Sequence, residues 1–106
     1  MKKITYNKLV RDNVPEIIEK AGKVCTTKIL NDEDYFDCLI NKLSEEMSEF
    51  LAAFSIEELA DIQEVVNAIA KAKGYTLEEF DAIRQKKADK NGGFEKKILL
   101  VEVDEK

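Results

Sequence analysis

The sequence contains no histidine, one proline, four glycines and two cysteines. Without histidine, one chain cannot build a His-based triad, the usual catalytic zinc site or an imidazole acid–base pair. So few helix breakers fit a helix-rich globule, not a disordered chain. No apolar run approaches the roughly 20 residues that a membrane-spanning helix needs. Two early lysines resemble the start of a signal peptide, but no apolar stretch follows them. Cys25 and Cys38 lack metal-site spacing and, with no export signal, are expected to be reduced thiols in a cytoplasmic protein. Positive charge is in deficit: 17 Lys and Arg against 22 Asp and Glu leave a net charge of −5. An acidic chain with no basic tract releases few counterions from a polyanion, so no nucleic-acid polymer is expected as a partner.

The 106 residues, 44% of them hydrophobic, are enough for one domain with a single modest core. Pro15 suits the first turn of a short helix over 16–21, capped by Asp12 or Asn13 and stopped by Gly22. Residues 24–30 (VCTTKIL) and 94–103 (FEKKILLVEV) are rich in β-branched and apolar residues. They are expected to be strands that pair antiparallel. Asn31 or Asp32 opens a helix whose apolar positions, Phe36, Leu39, Ile40, Leu43, Met47, Phe50, Leu51 and Phe54, recur at three and four. Ser55 to Glu58 has the form of a capping box that starts another helix, closed by Lys71, Lys73 and Gly74. Thr76 to Glu79 repeats that form ahead of a charged helix ending before the turn at Asn91-Gly92-Gly93. The expected fold class is mainly α, a helical bundle with a short two-stranded β element, in one domain over residues 1–106.

Residues 43–69 hold most of the chemical interest. Glu45, Glu46 and Glu49 lie on the first helix of this stretch, Glu58 and Asp61 on the second. Residues three or four apart share a helix face, and a tight turn at Ser55 packs the two helices antiparallel. On a wheel of about 100° per residue, Glu46 falls at the edge of the apolar stripe and Glu58 within its own. Asp61 lies on the flank, and Glu45 lies nearer solvent. Acids are common on solvated faces, and Glu58 has a structural role open to it as the third residue of a capping box. That role does not cover Asp61 or Glu46, and unpaired carboxylates beside a core are costly. No cation on either helix has the spacing to neutralise them all. Hard oxygen ligands suit Mg²⁺, or Mn²⁺, better than zinc.

Glu46-x-x-Glu49 followed by Glu58-x-x-Asp61 on successive helices resembles the signature of the MazG-like all-α nucleoside triphosphate pyrophosphohydrolases. YNKLVRDNVPEII at 6–18 and RQKKADKNGGFEKKI at 84–98 resemble the ends of a small subgroup beginning YNKLVRDKIP and ending near RGGFxxRI. Asn13 stands where the subgroup has Lys, and Asn91 and Lys97 stand where it has Arg. The gap from Glu49 to Glu58 is short beside the wider superfamily.

The resemblance implies Mg²⁺-dependent cleavage of a nucleoside or deoxynucleoside triphosphate between the α- and β-phosphates. Glu46, Glu49, Glu58 and Asp61 are the expected metal ligands. Glu45 and Glu46 are the expected catalytic carboxylates, with Glu45 a further ligand or the group that orients the attacking water. Arg11, able to make bidentate contacts, leads the expected phosphate ligands, followed by Lys8, Arg84, Lys87 and Lys97. A homodimer or homotetramer is expected to cover the apolar stripe of Ile62, Val66 and Ile69. Two alternatives stand beside this reading: a phosphoribosyl-ATP pyrophosphohydrolase, and a non-catalytic helical module that binds nucleotide or a protein.

Overall fold

A computed structural model describes residues 2–105. Four helices follow one another: α1 (Val14–Lys20), α2 (Asp32–Ala53), α3 (Ile56–Ala72) and α4 (Leu77–Asn91). None is long and apolar enough to cross a membrane. The boundaries follow local chemistry. Pro15 occupies the first turn of α1, and Gly22, at φ 83°, takes the left-handed position beyond its end. At the start of α2 the Asn31 Oδ1 accepts a hydrogen bond from the Asp34 N–H at 2.8 Å.

The link between α2 and α3 is two residues long. Phe54 adopts a left-handed conformation at φ 54°, and its N–H donates to the Phe50 carbonyl at 2.6 Å. The Phe50 and Phe54 rings meet edge to face, 5.6 Å apart, which stabilises that unfavourable backbone by closing the bend. Ser55 then caps α3. So short a turn forces α2 and α3 into an antiparallel pair, the main packing unit of the chain, with Leu39, Val65 and Ala70 at its core. The fourth buried residue among those described is a glutamate, Glu46. At α4 the capping box is complete: the Glu79 N–H donates to Thr76 Oγ1 at 3.1 Å, and the Thr76 N–H donates to Glu79 Oε1 at 2.9 Å.

The expected β element does not form, and no strand occurs among the described residues. Residues 24–30 take no regular secondary structure: Val24 is 96% and Ile29 98% exposed, while Cys25 and Leu30 are half-buried. Residues 94–97 make a turn in which the Lys97 N–H donates to the Phe94 carbonyl and Lys97 takes φ 58°, a break in any strand through 94–103. β-branched composition favours an extended backbone, but a ladder also needs a partner edge and a surface to cover it.

The chain exposes 10017 Å² for a mass of 12.1 kDa. A compact monomer of that mass exposes about 6,000 Å². The radius of gyration, 18.9 Å, likewise exceeds the roughly 13 Å of a compact domain this long.

Candidate metal centre

Antiparallel packing brings acids on α2 and α3 together. Glu46 lies two turns before the bend, Glu58 in the first turn of α3, and Asp61 one turn further on. One carboxylate oxygen from each lies within 4.8 Å of the other two. Glu46 is only 6% exposed, while Glu58 and Asp61 are half-buried. Two oxygens here, Oε2 of Glu46 and Oε2 of Glu58, are buried with no hydrogen-bond partner.

The cap at Ser55 explains how Glu58 comes to be free. Its backbone N–H donates to Ser55 Oγ at 3.2 Å, but its carboxylate does not return to the Ser55 N–H. Thr76 and Glu79 satisfy both halves of the same motif. Glu58 thus gives up a favourable cap contact and joins Glu46 and Asp61 instead. An orphaned carboxylate oxygen below the surface costs about 1–3 kcal/mol or more unless something binds it. Three carboxylate oxygens at this separation suit a hard divalent cation: metal–oxygen distances of about 2.1 Å to Mg²⁺ put opposed ligands about 4.2 Å apart.

Cations border the cluster. Arg11 Nη2 is 2.8 Å from Asp61 Oδ1, and Lys8 Nζ is 3.0 Å from Glu45 Oε1. Asn7, at φ 47°, turns the N-terminal segment just before these contacts. Lys42 Nζ lies 3.4 Å from Glu46 Oε1 and 3.7 Å from Glu45 Oε1. Sequence reasoning missed Lys42, although its signal was present: it stands three and four residues before these acids. A cleft of about 60 Å³ separates the N-terminal segment from α2, lined by Asn7, Lys8, Cys38, Lys42 and Glu45 among others.

Charge and burial divide the acids. Burial, reinforced by the neighbouring Glu49, holds the Glu46 carboxyl above the ordinary carboxylate range, with Lys42 pulling the other way. The Lys8 hydrogen bond holds Glu45 below that range, with help from Lys42. The same bond raises the Lys8 ammonium. Glu49 is exposed and outside the close trio, next to Glu46.

Of the other expected phosphate ligands, Arg84 donates through Nε to Asp81 Oδ1 at 2.8 Å. It lines a shallow groove of about 370 Å³ with Gln63, Asn67, Leu77 and Phe80, between α3 and α4. Gln63 and Asn67 sit about 140° and 180° round α3 from Glu58, so this groove opens away from the acids. Lys87 and Lys97 are exposed, and neither pairs with an acid of the cluster.

A protein of Mycolicibacterium smegmatis (strain ATCC 700084 / mc(2)155), described only as uncharacterized, is 42% identical to this chain over 45 residues. The match takes in 42% of this chain and 46% of the relative. The chain therefore spans less than half of the relative's length. No family model matches the chain, and no solved structure does.

Proposed function

We propose that this protein is a Mg²⁺-dependent pyrophosphohydrolase of the MazG-like kind, cleaving nucleoside or deoxynucleoside triphosphates between the α- and β-phosphates. The observation that carries this reading is the close trio of buried Glu46 with half-buried Glu58 and Asp61, with two buried carboxylate oxygens left unpartnered. The N-terminal cations beside it add support, because a triphosphate needs positive charge as well as metal. Mn²⁺ is the natural substitute.

Glu46, Glu58 and Asp61 would hold the ion, with Glu49 completing the set from the exposed side. When bound, Mg²⁺ supplies neutralisation of charge on the phosphate oxygens and acidifies water. Arg11 and Lys8, on flexible side chains at the rim, bind the phosphates. Glu45, whose pKa is held down, is a weak base, so it accepts a hydrogen bond from the attacking water and orients it. The water oxygen bonds to the α-phosphorus, the α–β bridging bond breaks, pyrophosphate leaves and the proton passes to solvent. The working form is a homodimer or homotetramer, in keeping with some 4,000 Å² of surface beyond that of a compact monomer.

A non-catalytic module is the second reading, favoured by the ion pairs that already engage Asp61 and Glu45. The deciding experiment incubates the purified protein with Mg²⁺ and a panel of NTPs, dNTPs and phosphoribosyl-ATP, measuring pyrophosphate. Equimolar monophosphate and pyrophosphate, absent with EDTA and in Glu46→Gln and Asp61→Asn, is the expected result. Hydrolysis of phosphoribosyl-ATP alone would replace the substrate class. No release from any nucleotide would leave the module.

A further inference from the structure

We infer that Lys42 is a positioning residue for the metal centre, holding Glu46 by one oxygen so that the carboxylate is oriented for the ion. The inference rests on the metal-centre reading above and adds to it a residue outside the acidic signature. Lys42 is on α2, one turn before Glu45 and Glu46, and its side chain is only 17% exposed. Its ammonium lies 3.4 Å from Glu46 Oε1, while Glu46 Oε2 has no partner. The carboxylate is therefore engaged at one oxygen and open at the other. The second contact, 3.7 Å to Glu45 Oε1, meets an oxygen also bound by Lys8, at 3.0 Å. Lys42 is thereby tied to two acids on its own helix, and its stem is packed, so its position is well defined. Groups that hold a metal ligand in its binding rotamer typically contribute 10–100-fold in metal affinity.

Simple electrostatics gives the opposite sign. An ammonium close to a cation site repels the incoming ion, so a Lys42 that served only to neutralise acids would strengthen metal binding when removed. The two roles are thus separated by the direction of one measurement. Lys8 provides the internal comparison, because it touches Glu45 and not Glu46.

The test is binding of Mn²⁺ alone, followed by electron paramagnetic resonance and by titration calorimetry on the full chain. Lys42→Gln is expected to weaken Mn²⁺ about 10-fold or more. Lys42→Met, a second replacement with a similar stem, is expected to behave alike. Lys42→Arg, keeping charge and donors, is expected to stay within about threefold of wild type, and Lys8→Met to bind no more weakly than wild type. Unchanged or tighter binding in Lys42→Gln and Lys42→Met, or equal weakening in Lys8→Met, would overturn the assignment. Failure of wild type to bind Mn²⁺ would instead remove the metal centre itself, so the two failures are distinguishable.

Discussion

Replacing Glu46 by Gln is expected to stabilise the metal-free protein and to abolish its stabilisation by Mg²⁺. Among the described residues Glu46 is the one buried carboxylate, with acidic oxygens of Glu58 and Asp61 within 4.8 Å. At that separation and an effective dielectric constant of about 20, each like-charge pair costs about 3.5 kcal/mol. Lys42, at 3.4 Å, returns about 5 kcal/mol on the same scale. Asp61 counts for less than its full share, because it is half-exposed and paired with Arg11. At most about 2 kcal/mol of net repulsion from these groups remains, to which burial of the charge and the neighbouring Glu49 add. The neutral amide removes the charge and keeps the shape, so a rise of about 4–8 °C per kcal/mol in Tm is expected with EDTA.

With Mg²⁺ the order reverses. A ligand at 100 times its Kd stabilises the wild type by about 2.7 kcal/mol, and the variant, lacking a principal ligand, gains little. The pH dependence follows from the raised Glu46 carboxyl. A folded-state pKa above the unfolded one contributes stability that is present below the ordinary value of 4.5 and lost as pH rises through the folded value. With EDTA, the advantage of Glu46→Gln should therefore be largest near neutrality and shrink towards pH 4.5. Calorimetric melts at matched protein concentration, with EDTA and with MgCl₂, read both effects. A variant less stable than wild type with EDTA, or equally stabilised by Mg²⁺, would refute the electrostatic reasoning.

Four further outcomes are expected. Thr76→Ala should cost about 1 kcal/mol at the start of α4, read as faster amide exchange in its first turn. The Thr76 backbone N–H holds the Glu79 carboxyl down, so its stabilisation is present above 4.5 and is lost as pH falls through the folded value; Glu79→Gln should flatten that acid limb in the same exchange experiment. Arg11→Met should raise KM for the nucleotide about 10-fold, whereas Lys97→Met should change it less than about threefold; equal effects in steady-state kinetics would count against the N-terminal cations as the phosphate site. Sedimentation should find a dimer or larger species at micromolar concentration, with a Tm that rises with protein concentration.

Much of the helical plan was legible because each boundary has a local cause. Asn31, Ser55 and Thr76 cap through their own side chains, and the residues that end helices are Gly22, the bend at Phe54, Gly74 and Gly92. The meeting of Glu46, Glu58 and Asp61 was legible too, since a two-residue turn leaves antiparallel helices little freedom of register. Lys42 escaped because sequence reasoning asked whether one cation could neutralise every acid, and not which acids each cation reaches. Glu58 was ambiguous for a different reason: Ser55 and Thr76 open the same motif, and only packing decides which glutamate turns back to its cap. The β expectation failed at 24–30 and 94–103 because propensity is local, whereas pairing depends on which edges the chain brings together.

The bare surface bears on the site as well as on assembly. Ile40, Met47, Leu51 and Phe54 are all exposed large apolar residues of α2 or its C-terminal cap. On the wheel they fall within about 60° of one another, a row about 21 Å long centred about 110° from Glu46. A row of that kind is not a solvated face. Water meets it at a cost of about 25 cal/mol for each Å² of apolar area, which a second copy of the chain would remove. The row stands about 110° round α2 from Glu46, so a partner that covers it would lie against the same helix that carries Glu46 and would reduce the water around it. Excluding water there strengthens every charge interaction in the cluster: the repulsion among Glu46, Glu58 and Asp61 without metal, and the attraction once a cation arrives. If the chain associates through this row, association and metal binding would stabilise each other, and a buried glutamate that weakens the isolated chain would become a strong ligand in the assembled one.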